Sequence, residues 1–203
     1  MSLAPRDPLV LASGSATRAR LLADAGLPIL VDPAAVDEEE IRASFQAEGR
    51  DAAACAAALA EAKATRVSGR HPGALVLGAD QILDCGGRWL EKPRDLNAAR
   101  AQLTQLRGKR HVLVTAAAVV RNGAIVWHVI DRARLVMRAF SDAFLEDYVA
   151  AAGDELLDSV GAYRLEGLGA QLFERVEGDF FTILGLPLLP LLDFLRGHGA
   201  LEA

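Results

Sequence analysis

Two serines, a glycine and an arginine are grouped where an anion could be held. They lie in Leu9-Val10-Leu11-Ala12-Ser13-Gly14-Ser15-Ala16-Thr17-Arg18-Ala19-Arg20-Leu21-Leu22. A buried strand that turns through Ser-Gly-Ser into a helix start aims backbone N–H groups and the helix dipole at one point. The hydroxyls and Arg18 add donors, and phosphate is the anion such a set favours. The stretch is neither a Walker loop nor a Gly-x-Gly-x-x-Gly dinucleotide turn, and a strand–turn–helix without a ligand is the alternative. Helix phase separates the two arginines. Arg18 lies three and four residues before Leu21 and Leu22 and shares their inward side. Arg20 falls off that stripe and has Asp24 four residues on.

Other charged residues could complete such a site. Asp80 follows the apolar Leu75-Val76-Leu77 and Gly78-Ala79, so it reads as a carboxylate at a strand end, where α/β proteins bind ligands, or as a loop cap. Lys63 falls four residues after Leu59 in an alanine-rich helix, on or beside its buried face. Lys92 stands in Glu91-Lys92-Pro93, where proline fixes an extended path. The run Asp37-Glu38-Glu39-Glu40 is either a solvated face or, with Asp80, a set of hard oxygens for a divalent cation. His111 and His128 lack triad partners and read as structural or surface residues. Cys55 sits among alanines and reads as packing.

The elements that must position these residues alternate between strand and helix. Leu9–Ala12 and Ile29–Val31 read as strands, with a helix over Thr17–Ala25 ended by Gly26. The acidic run opens a polar segment. Ala52–Ser68 has no Gly or Pro and predicts a long helix. A strand over Leu75–Leu77 and a hairpin over Ile82–Leu90 follow. Asp95 caps a helix through Leu106. Asn122-Gly123 joins Val112–Val120 to Ile125–Met137 in a hairpin. Ser141 caps a helix bearing Phe144, Leu145 and Tyr148, and Pro187 starts an apolar final helix ending by Gly197. The order predicts a mixed α/β fold, a sheet covered by helices.

Composition excludes several classes. At 203 residues and 52% hydrophobic content the chain can bury a sizeable core, which excludes global disorder. A net charge of −5 argues against a nucleic-acid binder. The two cysteines, Cys55 and Cys85, form no Cys-x-x-Cys pair, so neither a zinc site nor a disulfide framework is expected. Met1–Pro8 lacks an apolar core and is not read as a signal peptide, and no apolar run is long enough to span a membrane. The expected location is cytoplasmic.

The motifs together resemble the Maf family of nucleoside triphosphate pyrophosphatases, known also for inhibition of septum formation. The resemblance covers almost the whole chain. It runs through Ser13-Gly14-Ser15-x-x-Arg18, Val36-Asp37-Glu38, Leu59-Ala60-x-x-Lys63-Ala64, Gly78-Ala79-Asp80-Gln81, Glu91-Lys92-Pro93 and Leu106-x-Gly108-x-x-His111-x-x-x-Thr115. It ends in Gly161-Ala162-Tyr163-x-x-Glu166-Gly167-x-Gly169, Gly178-Asp179 and Gly185-Leu186-Pro187-Leu188. It implies a single domain over residues 1–203 with the Maf/inosine-triphosphatase-like fold, a mixed sheet with flanking helices and a cleft between two lobes.

The implied activity is hydrolysis of a nucleoside triphosphate to the monophosphate and pyrophosphate with a divalent cation (Mg, Mn or Co). Asp80 matches the base that activates water. Ser13, Arg18, Lys63 and Lys92 match triphosphate-holding positions. Asp37 or Glu38 matches the acidic position near the metal, which Asp80 and Glu38 would hold. Ser15, Thr17, Gln81 and Glu166 fall at substrate-contacting positions. Gln81 and Glu166 are similar to the branch that prefers 7-methyl-GTP. Thr17 departs from it, since that branch carries a tryptophan there, whose ring would stack on a cationic base. A broad or pyrimidine (dTTP/UTP) pyrophosphatase and a nucleotide-binding regulator of cell division are the alternatives. Homodimers are common among similar proteins, although no segment here carries an interface signature.

Overall fold

The computed structural model describes residues 8–202, so the reading of Met1–Pro8 as no signal peptide falls, Pro8 apart, outside the described residues. The elements are β1 (Leu9–Leu11), α1 (Ala16–Asp24), β2 (Ile29–Val31), α2 (Glu38–Ala47), α3 (Ala52–Ser68), β3 (Val76–Cys85), β4 (Arg88–Leu90), α4 (Leu96–Leu106), β5 (Arg110–Arg121), β6 (Ala124–Met137), α5 (Asp142–Ala152), β7 (Phe173–Glu177), α6 (Phe180–Ile183) and α7 (Leu188–Gly197). The strands hydrogen-bond in the order β2-β1-β3-β5-β6-β7, with β4 also on β3, as one mixed seven-stranded sheet. β1 is parallel to β2 and β3, whereas the β3–β4 and β6–β7 pairs are antiparallel. This is the mixed α/β architecture read from the sequence. Among the described residues no helix is long and apolar enough to cross a membrane.

The chain forms two compact units. The first comprises the chain up to Asp80, Thr115–Asp131 and the chain from Phe180 onward. Its β1 strand, Leu-Val-Leu, is buried throughout, as expected for a parallel strand covered on both faces. Leu11, Leu22, Leu77, Val119, Leu186 and Leu191 share one core cluster. Trp127 of β6 stacks on Phe194 of α7 with ring centroids 5.3 Å apart.

Small residues bring α3 against β3. A Cβ on Gly78 would lie 2.1 Å from the Ala60 carbonyl oxygen and 2.8 Å from the Ala64 nitrogen. Only glycine fits there, and Lys63 lies on the helical turn between those two alanines. At the β5–β6 turn Asn122 and Gly123 have φ of 51° and 79°, the left-handed pair that a two-residue hairpin turn requires.

Two expectations are corrected. The strand expected to end at Asp80 continues to Cys85, so Asp80 is a mid-strand residue. Burial of this stretch overrides the poor strand propensity of Gly, Ala and Asp. β1 pairs with β3 only at Val76 and Leu77, so Asp80 stands three residues beyond that pairing. The polar segment opened by the acidic run is helix α2. Its N-cap Asp37 accepts a hydrogen bond from the Glu40 N–H at 3.0 Å, and three glutamates in the first turn suit the helix dipole.

The second unit comprises Gln81–Val114 and Arg132–Asp179. Asp95 and Ser141 cap α4 and α5 as expected. Arg100 of α4 forms two 2.7 Å bonds with Glu146 of α5. A Cβ on Gly169 would meet the Arg164 carbonyl oxygen at 2.4 Å, so glycine closes the turn that carries Glu166.

Candidate active site

The first unit gathers Glu38, Arg42, Lys63 and Asp80 into one charged cluster. Asp80 is 3% exposed, and an uncompensated carboxylate at that burial would be costly. Lys63 compensates it: its Nζ lies 2.7 Å from Asp80 Oδ1 and 2.7 Å from Glu38 Oε1. Arg42, one turn after Glu38, places Nη2 2.9 Å from Glu38 Oε2 and 3.3 Å from Asp80 Oδ2. Two basic side chains thus face two acidic ones, and the formal charges of these four groups cancel. Burial pushes the Glu38 carboxyl up, but the charge and hydrogen bond of Lys63, then of Arg42, outweigh it and hold Glu38 below the usual carboxylate range.

The Ser-Gly-Ser turn is organised around Arg18. Its guanidinium donates from Nε to the Gly185 carbonyl at 2.7 Å, and from Nη1 to the Ala79 carbonyl at 2.9 Å and to Ser13 Oγ at 3.1 Å. The acceptors that a buried guanidinium needs therefore come in part from the protein itself. Burial lowers the Arg18 pKa, and the charges of Asp80 and Glu38 oppose that shift. Ser13 Oγ also accepts from the Ser15 N–H at 3.3 Å, and Ser15 Oγ caps α1 by accepting from the Arg18 N–H at 3.3 Å. Gly14 is exposed, and a Cβ there would meet only Pro33, at 3.8 Å or more. Nothing among the described residues requires glycine at this position.

The remaining sequence candidates are placed as follows. Asp37 is exposed and engaged as the α2 cap, so the two adjacent acids part at the helix start and only Glu38 reaches the cluster. Thr17 is half-buried in the first turn of α1, and Arg20 is exposed. Gln81, Lys92 and Glu166 belong to the second unit. Gln81 is half-buried on β3 and Lys92 is exposed. Glu166 Oε1 accepts from Arg164 Nε at 3.2 Å, and Arg164 Nη1 donates to Glu155 at 3.1 Å. His111 is 1% exposed, with Nε2 2.8 Å from the Tyr163 hydroxyl, and burial pushes its pKa down to about 4. His128 is exposed. Burial, then the Asp80 charge, pushes the Cys55 thiol up to about 11, so it packs rather than reacts.

Arg42 is the site residue absent from the sequence reading. Its signal was the four-residue spacing from Glu38, which places both on one helix face; that signal exists only once Glu38–Ala47 is recognised as a helix. Among the described residues, no group of three or more His, Cys, Asp and Glu side chains could by itself hold a metal ion. The donor set of Glu38 and Asp80 nevertheless fits Mg²⁺ or Mn²⁺, which take one or two carboxylates and complete their shell with substrate phosphates and water.

The sequence profile of the Maf-like proteins matches residues 8–198. The chain belongs to the Maf-like protein family. Among curated relatives, a nucleoside triphosphate pyrophosphatase of Paramagnetospirillum magneticum is 59% identical over 192 residues, 95% of this chain and 99% of that protein. A protein of the same name from Rhodospirillum rubrum is 53% identical, over 96% of each chain. A 7-methyl-GTP pyrophosphatase of Mesorhizobium japonicum is 47% identical, over 97% of this chain and 98% of that protein.

Proposed function

We propose that this Maf-like chain hydrolyses a nucleoside triphosphate to the monophosphate and pyrophosphate. The observation that carries the reading is Asp80: a buried carboxylate held by a buried lysine, with Glu38 on that same lysine. In this reading Asp80 accepts the proton of the attacking water. Lys63 orients Asp80 and offers positive charge to the phosphate oxygens as the α–β anhydride breaks. The Ser13-Gly14-Ser15 turn receives phosphate, and its glycine leaves the backbone open to close approach. Lys92 supplies a further phosphate contact. Glu38 and Asp80 would hold a divalent cation, which offsets phosphate charge when bound.

For the base we propose 7-methylguanine first. Its N1–H and N2–H₂ edge donates to a carboxylate such as Glu166. The relatives named 7-methyl-GTP pyrophosphatase support this choice. The enzyme would work in the cytoplasm on free nucleotides. Pyrophosphate release across canonical and modified triphosphates tests both levels. The expected result is preference for 7-methyl-GTP over dTTP, a smaller gap in Glu166→Gln, and at least about a hundredfold loss in Asp80→Asn. Near-normal turnover by Asp80→Asn at saturating metal would remove Asp80 from the mechanism. dTTP or UTP as best substrate would overturn the base assignment alone.

A further inference from the structure

Lys63 and Arg42 share the two carboxylates unequally. Lys63 is 7% exposed on the 17-residue helix α3 and holds one oxygen of each carboxylate at 2.7 Å. Arg42 is 21% exposed. Its single Nη2 serves Glu38 Oε2 at 2.9 Å and both Asp80 oxygens at 3.3 and 3.5 Å. One nitrogen with two protons cannot bond three acceptors well, and the Asp80 contacts are long for charged hydrogen bonds. The oxygens therefore divide: Oδ1 and Oε1 belong to Lys63, while Oδ2 and Oε2 are covered by the looser, more exposed cation.

We infer that Arg42 is a displaceable counter-ion, covering Asp80 Oδ2 and Glu38 Oε2 until a divalent cation takes its place. The inference rests on the reading of Glu38 and Asp80 as the cation-holding pair. Lys63 stays in position through the exchange, because its oxygens are the other two. Charge gives the exchange a consequence. With Arg42 in place two positive and two negative charges cancel; with a divalent cation instead, Lys63 and the ion carry three positive charges against two. The exchange thus makes this part of the site, which Arg18 already faces, more positive and better suited to a triphosphate. Arg42, with 21% of its side chain exposed, is the more solvent-accessible of the two cations.

Mn²⁺ binding to the nucleotide-free protein, followed by electron paramagnetic resonance and calorimetry, tests this. Arg42→Met should bind Mn²⁺ about fivefold more tightly than the unmodified chain, the scale of losing a partly solvated charge pair. Arg42→Gln should shift in the same direction, and it keeps the test open if the methionine variant fails to fold. Asp80→Asn combined with either change should abolish the gain. Unchanged or weaker Mn²⁺ binding in folded Arg42 variants, with binding still lost in Asp80→Asn, overturns the exchange and leaves the cation pair standing. Absence of Mn²⁺ binding from the Arg42 variants and the unmodified chain alike overturns both.

Discussion

Gly78→Ala is the substitution whose effect follows most directly from the packing. The added methyl would lie 2.1 Å from the Ala60 carbonyl oxygen and 2.8 Å from the Ala64 nitrogen. Both are backbone atoms of α3, so no rotamer change makes room. Restoring ordinary contact needs a displacement of about 1 Å between helix and strand. Lys63 lies between those two residues and moves with them, so its 2.7 Å bonds to Asp80 and Glu38 lengthen. Overpacking costs about 1–3 kcal/mol, and a weakened buried pair adds part of the roughly 3–5 kcal/mol that a broken one costs. A total near 4 kcal/mol corresponds to a fall in Tm of roughly 10 °C for a chain of this size. Thermal unfolding by circular dichroism reads the first effect. Pyrophosphate release, measured where the variant is folded, should fall about a hundredfold for a 1 Å misplacement. Adding Ala64→Gly should not rescue it, because the 3.0 Å contact with the Ala64 Cβ is relieved while the carbonyl clash stays. A variant that melts within about 2 °C of the parent and turns over normally would refute the account of how α3 is seated.

Gly14→Ala makes the opposite prediction. Its Cβ meets only Pro33 at ordinary distance, so stability should change by less than about 0.5 kcal/mol while pyrophosphatase activity drops; full activity would remove the backbone of this turn from phosphate binding. His111 gives a pH signature. Burial holds it neutral in the folded chain, down to about 4, while the unfolded chain protonates near its ordinary value. Stability therefore falls as pH drops between those two values, by about 2 kcal/mol between about pH 7 and pH 5. His111→Gln should flatten that part of the profile in denaturant titrations, and an unchanged slope would exclude His111 as its source.

The sequence made legible what short-range chemistry determines. Asn122-Gly123 specifies a turn because its φ values suit few other pairs, and the caps at Asp95 and Ser141 mark helix starts. Less legible was whatever depends on a neighbour. Asp80 reads as a strand end because Gly-Ala-Asp is poor strand sequence, yet burial carries the strand through it. The Asp37–Glu40 run reads as a solvated face or as cation-holding oxygens, and neither reading specifies that Asp37 caps a helix; without α2, Arg42 carries no signal. The spacing of Lys63 from Leu59 pointed inward correctly, but its contact with Asp80 depends on how closely Gly78 lets α3 approach.

The bonds from Arg18 bear on when the Ser13-Gly14-Ser15 turn can take shape during synthesis. Its guanidinium draws acceptors from residue 13, residue 79 and residue 185. The last of these joins positions 167 residues apart, which makes it a contact of very high sequence separation. A ribosome releasing this chain from its N-terminus exposes Ser13-Gly14-Ser15 well over a hundred residues before Gly185. Until then Arg18 lacks one of the acceptors that make its burial tolerable, and the turn has no reason to close around it. A nascent or truncated chain lacking the segment from Gly185 onward would therefore carry the Ser13-Gly14-Ser15 sequence without the shape that Arg18 holds, and that shape would appear only once the chain reaches Gly185.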